Sequence, residues 1–378
     1  MSEIWTLPGP ARFARTAQDR LERGDSVLVG LPAMSDANDF ADGLKRAIDI
    51  HFDLIDTTGA QERPVASMVA EQLDIDLEPG KDAAVRLAND PALESRCLAV
   101  TVTGKPDDIK PWTDFIRVLL AAVRPISVTE RPRLLVVGGH GCATALTGAD
   151  PLAELWWWGV LDRLDTALHV QRRLASRESD DLLRDAITEV AGYDLGLADY
   201  LADEWDGDES GLAAVLSNYI GPEWPSIPVP AQLPHSSTSW DAPPSHVVPL
   251  WNAGLADAWD SFRVCLHPCS LPAQGLRQRV WRAQIRCLMP LIDEERARIE
   301  DWIRTEIRGL PKEKVFEPGD LFSLIQDNPR LKNWRGGHRK RLIYWLRDAR
   351  NMLAHMTPLS PQEIDRGRHL IWQDHKLS

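Results

Sequence analysis

With 378 residues, 44% of them apolar and 26% charged, the chain is long enough for two or three packed domains of ordinary soluble composition. No apolar run approaches the roughly 20 residues of a membrane helix, and the acidic, arginine-containing start does not resemble a signal peptide, so no membrane partner and a cytoplasmic location are expected. The net charge of −13 excludes a uniformly basic nucleic-acid binder, but residues 270–355 carry 18 Lys and Arg against 11 Asp and Glu, a local charge of +7.

The first 150 residues alternate apolar strands with helical stretches. Val27–Gly30, His51–Asp56, Cys97–Thr103 and Leu134–Gly138 are strand candidates, and Phe40–Ile48, Val65–Leu73 and Trp112–Val123 have helical periodicity. This alternation predicts an α/β domain with a mainly parallel sheet. Residues 151–220 read as a helical lid or winged-helix-like segment: Leu152–Leu164 with the run Trp156-Trp157-Trp158, then Asp180–Val190 and Leu195–Trp205. The triple tryptophan is expected in core or interface packing. Eight of the 27 prolines fall within residues 221–250, which are read as a linker and the main domain boundary. Beyond it, residues 251–378 predict an all-α bundle with helices over Trp251–Cys265, Gln274–Arg308 (kinked at Pro290), Asp320–Ile325, His338–His355 and Gln362–Trp372. Cys265 and Cys269 flank His267, but no fourth ligand stands at zinc spacing, so reduced thiols and no metal are expected.

The segment Gly30-Leu31-Pro32-Ala33-Met34-Ser35-Asp36-Ala37 can be laid on the phosphate-loop pattern G-x-x-x-x-G-K-[ST], with a strand before it and a helix after. Only the first glycine survives. Ser35 replaces the second glycine, Asp36 the lysine and Ala37 the magnesium-binding hydroxyl. A carboxylate at the lysine position repels the β- and γ-phosphates. The domain thus resembles a degenerate P-loop NTPase, which implies no ATP hydrolysis and no cofactor, and leaves room for a partner protein there. Gly138-Gly139-His140-Gly141 is a further phosphate- or oxyanion-type turn, with no G-x-S-x-G elbow to accompany it.

The sequence Leu346-Arg347-Asp348-Ala349-Arg350-Asn351-Met352-Leu353-Ala354-His355 carries an arginine, a polar residue and a histidine at R-x4-H spacing. About one such bare pair is expected by chance, and Arg46…His51 is another; the Arg350 pair adds Asn351 in the polar slot, a late position in a basic helical domain, and Pro358 as a helix stop. It resembles the signature of HEPN domains. The resemblance covers roughly residues 250–378 and implies a metal-independent endoribonuclease, a toxin or an effector of phage defence or stress response, with Arg350, Asn351 and His355 catalytic. Leu342, Leu346, Ala349 and Leu353 form an apolar helix face, while Arg347, Asn351 and His355 form a polar stripe. Arg350 and His355 stand about 140° apart on an ideal helix, and HEPN ribonucleases by resemblance resolve this by homodimerising. Histidine near neutral pKa can take the RNA 2′-hydroxyl proton, and arginine can stabilise the phosphorane. Arg335, His338, Arg339, Lys340, Arg341 and Arg347 form a candidate RNA track on or just before the same helix. Arg277, Arg282 and Arg286 of the preceding long helix are expected in surface ion pairs, with a place along the cleft as the alternative. The alternative is a non-catalytic HEPN module that dimerises or recruits partners, linked to an inactive sensor domain.

Overall fold

The computed structural model describes residues 3–57, 63–78, 80, 82–175, 181–220, 227–228, 242–260, 263–311, 313–334 and 337–377. Most of the expected linker, and Arg335 of the candidate RNA track, lie outside them. In chain order the first elements are α1 (Pro8–Glu22), β1 (Ser26–Leu31), α2 (Ala37–Ala47), β2 (Asp53–Ile55), α3 (Val65–Gln72), α4 (Ala83–Ala88), β3 (Cys97–Val102), α5 (Pro106–Val123), β4 (Arg133–Gly139), α6 (His140–Leu146) and β5 (Leu152–Trp156). There follow α7 (Arg163–Arg173), α8 (Asp181–Ala191), α9 (Leu195–Glu204) and α10 (Glu209–Tyr219). The remainder is α11 (Val248–Asn252), β6 (Ala256–Trp259), β7 (Arg263–Leu266), α12 (Ala273–Glu306), α13 (Pro318–Asp327), α14 (His338–Ala354) and α15 (Pro361–Leu377). No described helix is long and apolar enough to cross a membrane.

The chain divides into two compact units, one of Met1–Asp165 with Pro225–His267, the other of Thr166–Trp224 with Pro268–Ser378. In the first, five strands pair in parallel in the order β2-β3-β4-β1-β5. All six residues of β1 are buried, as a central strand covered on both faces requires. Phe13, Ala17 and Leu21 of α1 and Ala41 and Leu44 of α2 share one core with Val27, Val29, Leu135 and Val137. The start of α1 is pinned by the buried Asp165, whose carboxylate accepts hydrogen bonds from the Gly9 amide at 2.8 Å and the Asp162 amide at 2.9 Å. Burial raises the Asp165 pKa against the pull of those donors.

Two helical expectations are corrected here. Leu152–Trp156 is a strand, paired with β1, and helix resumes only at Arg163. The tryptophans alternate sides as a strand's period of two demands: Trp157 packs with Trp5, Phe13 and Phe40, whereas Trp156 and Trp158 meet Trp251. Trp251–Cys265 is not a helix either. A short α11 ends at Gly254, which takes a φ of +70°, and a β6–β7 hairpin follows, turning through Asp260 at a φ of +46°. The hairpin therefore groups with the sheet unit, and the helical segment from Thr166 groups with the C-terminal helices.

In the second unit α12 runs unbroken through Pro290 for 34 residues. Its N-terminal part (Leu276, Val280, Ala283) packs into one core with α8, α9 and α10, and its C-terminal part (Ile292, Ile299, Ile303) into another with α13, α14 and α15. Leu342, Leu346, Ala349 and Leu353 of α14 are buried in the latter. The junction after α14 is fastened by the buried Gln284, whose carboxamide accepts from the Leu359 amide at 2.6 Å and donates to the Leu359 carbonyl at 2.9 Å. Gln284→Ala leaves both backbone groups without these partners and should cost about 2–6 kcal/mol, at about 1–3 per orphaned group. Chemical denaturation followed by circular dichroism measures this, and a loss within error would show the junction held by packing alone.

Candidate functional sites

Strand order locates the first site. The chain leaves β1 towards β2 at the far edge and leaves β4 over β1 towards β5, so right-handed crossovers send α2 and α6 to opposite faces of the sheet. The carboxyl ends of β1 and β4 then flank a topological switch point, where open α/β sheets bind ligands. Gly30–Asp36 lies there in the strand–loop–helix layout of a phosphate loop, and so does Gly138–Gly141, where β4 runs directly into α6.

Several backbone donors around this loop are already engaged. The Ala33 amide donates to Asn252 Oδ1 at 3.1 Å and the Met34 amide to the Asn252 carbonyl at 3.2 Å. The Ser35 amide turns back to the Pro32 carbonyl at 3.0 Å. Asp36 is the N-cap of α2, its carboxylate accepting from the Asn38 amide at 2.9 Å and the Asp39 amide at 3.0 Å. The expected repulsive carboxylate thus has a second role: it occupies the helix N-terminus as an internal anion. Met34 closes over Gly254, where a Cβ would stand 2.0 Å from its sulfur. On the β4 side, His140 begins α6 with its ring 5.6 Å from Trp156 and 6.4 Å from Trp251. Burial lowers the His140 pKa, which favours the neutral imidazole. Burial likewise pushes the Cys142 thiol up to about 12, so it packs as an apolar group. The sequence reading missed Asn252 because it placed that residue inside a long helix; Gly254, two residues on, was the available signal against one.

The second site surrounds the R-x4-H pair. Arg350 leaves α14 towards the start of α13, where its Nη2 lies 2.9 Å from the Glu317 carboxylate as an ion pair and its buried Nε has no hydrogen-bond partner. Asn351 is exposed. His355 is the C-cap of α14, its own amide bonded to the Asn351 carbonyl at 3.0 Å, and its exposed side chain lines an open cleft of about 460 Å³. Gln274, Arg277 and Gln278 of α12 line the same cleft, with Glu209 of α10 and Thr357, while Arg350 does not. Within one chain the structure therefore brings His355 to Arg277, and holds Arg350 elsewhere.

Several residues of the candidate RNA track have internal partners. His338 donates to the Leu370 carbonyl at 2.7 Å. Arg339 stacks on Trp302 at 4.2 Å and Trp334 at 4.5 Å and faces the fully buried Asp374 at 3.6 Å. Arg347 pairs with Asp348 at 2.8 Å and stacks on Tyr344 and Phe322; the hydrogen bond to Asp348 raises its pKa further. Lys340 is half-buried and Arg341 exposed. Among the described residues no group of His, Cys, Asp and Glu is arranged to hold a metal ion.

No family model and no curated protein matches this chain. Similar solved structures include the RuvB Holliday junction branch migration motor of Thermotoga maritima, 14% identical, spanning 55% of this chain and 61% of that one with a TM-score of 0.27. A STAND (signal transduction ATPase with numerous domains) protein with a tetratricopeptide repeat sensor from Pyrococcus horikoshii is 11% identical, spanning 94% of this chain and 57% of that one with a TM-score of 0.29. The chain thus spans about three fifths of the length of each.

Two glycines test the loop geometry. At Gly30 a Cβ would lie 2.5 Å from the Trp156 ring, whereas at Gly139, with φ −66°, it meets nothing within 4 Å. Gly30→Ala should destabilise the protein by about 1–3 kcal/mol or more, and Gly139→Ala should stay within about 0.5 kcal/mol of wild type. Equal effects in urea titration would contradict the packed β1 edge described here.

Proposed function

We propose that the second unit is a metal-independent endoribonuclease of HEPN type, and that the first unit senses or docks a partner without hydrolysing nucleotide. The observation that carries the reading is the placement of His355. It is exposed, off the apolar face of α14, and lines an open cleft that Arg277 also lines. RNA supplies its own nucleophile, so a base and a cation suffice: His355 withdraws the 2′-hydroxyl proton, arginine stabilises charge on the phosphorane, and the leaving group departs as a 5′-hydroxyl. Fragments then end in a 2′,3′-cyclic phosphate or its hydrolysis product. Arg350 points away from His355 within one chain, so its part in the reaction requires a homodimer in which the Arg350 of one chain meets the His355 of the other. Such an enzyme fits a cytoplasmic toxin or a phage-defence or stress-response effector acting on RNA.

In the first unit, Asn252 and Asp36 hold four amides of the loop and the start of α2, and Asp36 puts a carboxylate where a phosphate loop has its lysine, which supports a domain that is not an ATPase. A second reading rests on Arg350 being already neutralised by Glu317: the helical unit then dimerises or recruits partners and has no catalytic cycle.

Cleavage of total RNA by the purified protein should survive EDTA and leave 5′-hydroxyl ends. His355→Ala should reduce it by about 10²–10⁴-fold, the usual worth of a positioned base. Arg350→Ala should abolish it, Asn351→Ala should weaken it less, and His51→Ala should leave it unchanged. Circular dichroism and sizing should show all four variants folded. Cleavage that requires magnesium, or that persists in both His355→Ala and Arg350→Ala, rejects the assignment of the reaction to this site, and wild type that cleaves nothing leaves the recruiting module. Calorimetric titration of magnesium-ATP should show no binding tighter than about millimolar; micromolar binding rejects the closed-loop reading.

A further inference from the structure

We infer that the cleft between the start of α12 and the end of α14 is a phosphodiester-binding site, with Arg277 as the in-chain cation that faces His355. The chemistry of this inference rests on the ribonuclease reading, but the binding site does not.

The juxtaposition follows from one face of α12. Arg277, Trp281 and Gln284 stand at i, i+4 and i+7, on a single stripe of the helix. Two of the three are fastened to the segment around His355: Trp281 Nε1 donates to the Leu353 carbonyl at 2.7 Å, and Gln284 bonds the Leu359 backbone in both directions. These contacts set the register of α12 against the end of α14. One turn before Trp281, the same stripe presents Arg277 to His355, Met356 and Thr357, and the cleft opens between them.

The remaining walls fit a phosphate. Gln274 and Gln278 supply carboxamide donors, and the cleft reaches Ala273, the first residue of α12. That helix begins after Pro272, which gives no side-chain cap, and has no acidic residue in its first turn, so the positive end of a 34-residue dipole is left uncompensated there. The opposing charge is Glu209, whose carboxylate lies 4.0 Å from Arg277. At that distance it is a loose partner that an incoming phosphate can replace, and Arg277 is itself half exposed, so it can turn to an incoming ligand. An RNA backbone seated on Arg277 brings a ribose 2′-hydroxyl within reach of His355 from the same chain.

The test uses the full-length protein and a fluorescein-labelled 2′-O-methyl oligoribonucleotide, which has no free 2′-hydroxyl and cannot be cleaved. Arg277→Ala should weaken its binding by about tenfold and lower the dependence of log K on log salt by about one phosphate contact. Arg277→Lys should recover part of the affinity, because the charge returns without the planar fork. Glu209→Gln should tighten binding, and Arg308→Ala, which removes the same charge outside the cleft, should leave it unchanged. Inorganic phosphate should compete with the probe in wild type and lose that effect in Arg277→Ala. Unchanged probe affinity in folded Arg277→Ala overturns the inference whatever happens to cleavage. If His355→Ala abolishes cleavage of the unmodified RNA while Arg277→Ala binds and cleaves normally, the ribonuclease reading stands and this site falls. If Arg277 governs probe binding but wild type cleaves nothing, the site stands and the ribonuclease reading falls.

Discussion

Backbone amides and carbonyls at the ends of strands and helices take side-chain partners, and those pairings shape both units of this protein. At the end of β1 the amides of Ala33 and Met34 are satisfied by Asn252, and those at the start of α2 by Asp36. At the end of α14 the carbonyl of Leu353 is satisfied by Trp281, and the backbone of Leu359 by Gln284. In the first case side chains fill the positions a bound anion would take. In the second they fix the edges of a cleft and leave its centre open. One rule thus engages several amides at one candidate site and shapes another.

The charge asymmetry of the sequence has a similar double reading. The C-terminal helices are basic, yet many of their arginines neutralise carboxylates inside the unit. Arg298 bonds Glu295 at 2.6 Å and Asp374 at 2.7 Å, and Arg296 and Arg304 converge on Glu300, at 2.6 and 2.5 Å. Glu295, Glu300 and Asp374 are all buried, so these arginines offset desolvation that would otherwise be severe. The charge available for a polyanion is what remains after these pairs, and Arg277, tied only loosely to Glu209, belongs to that remainder.

Much of the fold was legible because period and punctuation agree over long stretches. The strands at Cys97 and Arg133, the helix from His338, and the buried stripe Leu342, Leu346, Ala349 and Leu353 follow directly from apolar spacing. Leu152–Trp156 did not, since three consecutive tryptophans erase the alternation that marks a strand, and its identity comes from pairing with β1. The β6–β7 hairpin was hidden by a helix-like composition that only Gly254 and Asp260, at positive φ, interrupt. In the candidate site the sequence indicated His355, its exposed polar stripe and its angular separation from Arg350. The neighbour Arg277 lies 78 positions away in sequence, and only packing through Trp281 and Gln284 brings the two together.

The Asn252 contact also determines how this polypeptide can be divided. The sheet unit is discontinuous: its loop at Ala33 is completed by a residue 219 positions later, with a helical segment of the other unit encoded in between. Contacts of such separation form late, after much chain entropy has been lost. A fragment cut after α10 would keep all five parallel strands yet lack Asn252 and the hairpin, and its β1 loop would meet water or a foreign partner in their place. The Pro-rich stretch, although it is the most obvious seam in the sequence, is therefore a poor place to separate one autonomous folding unit from the next.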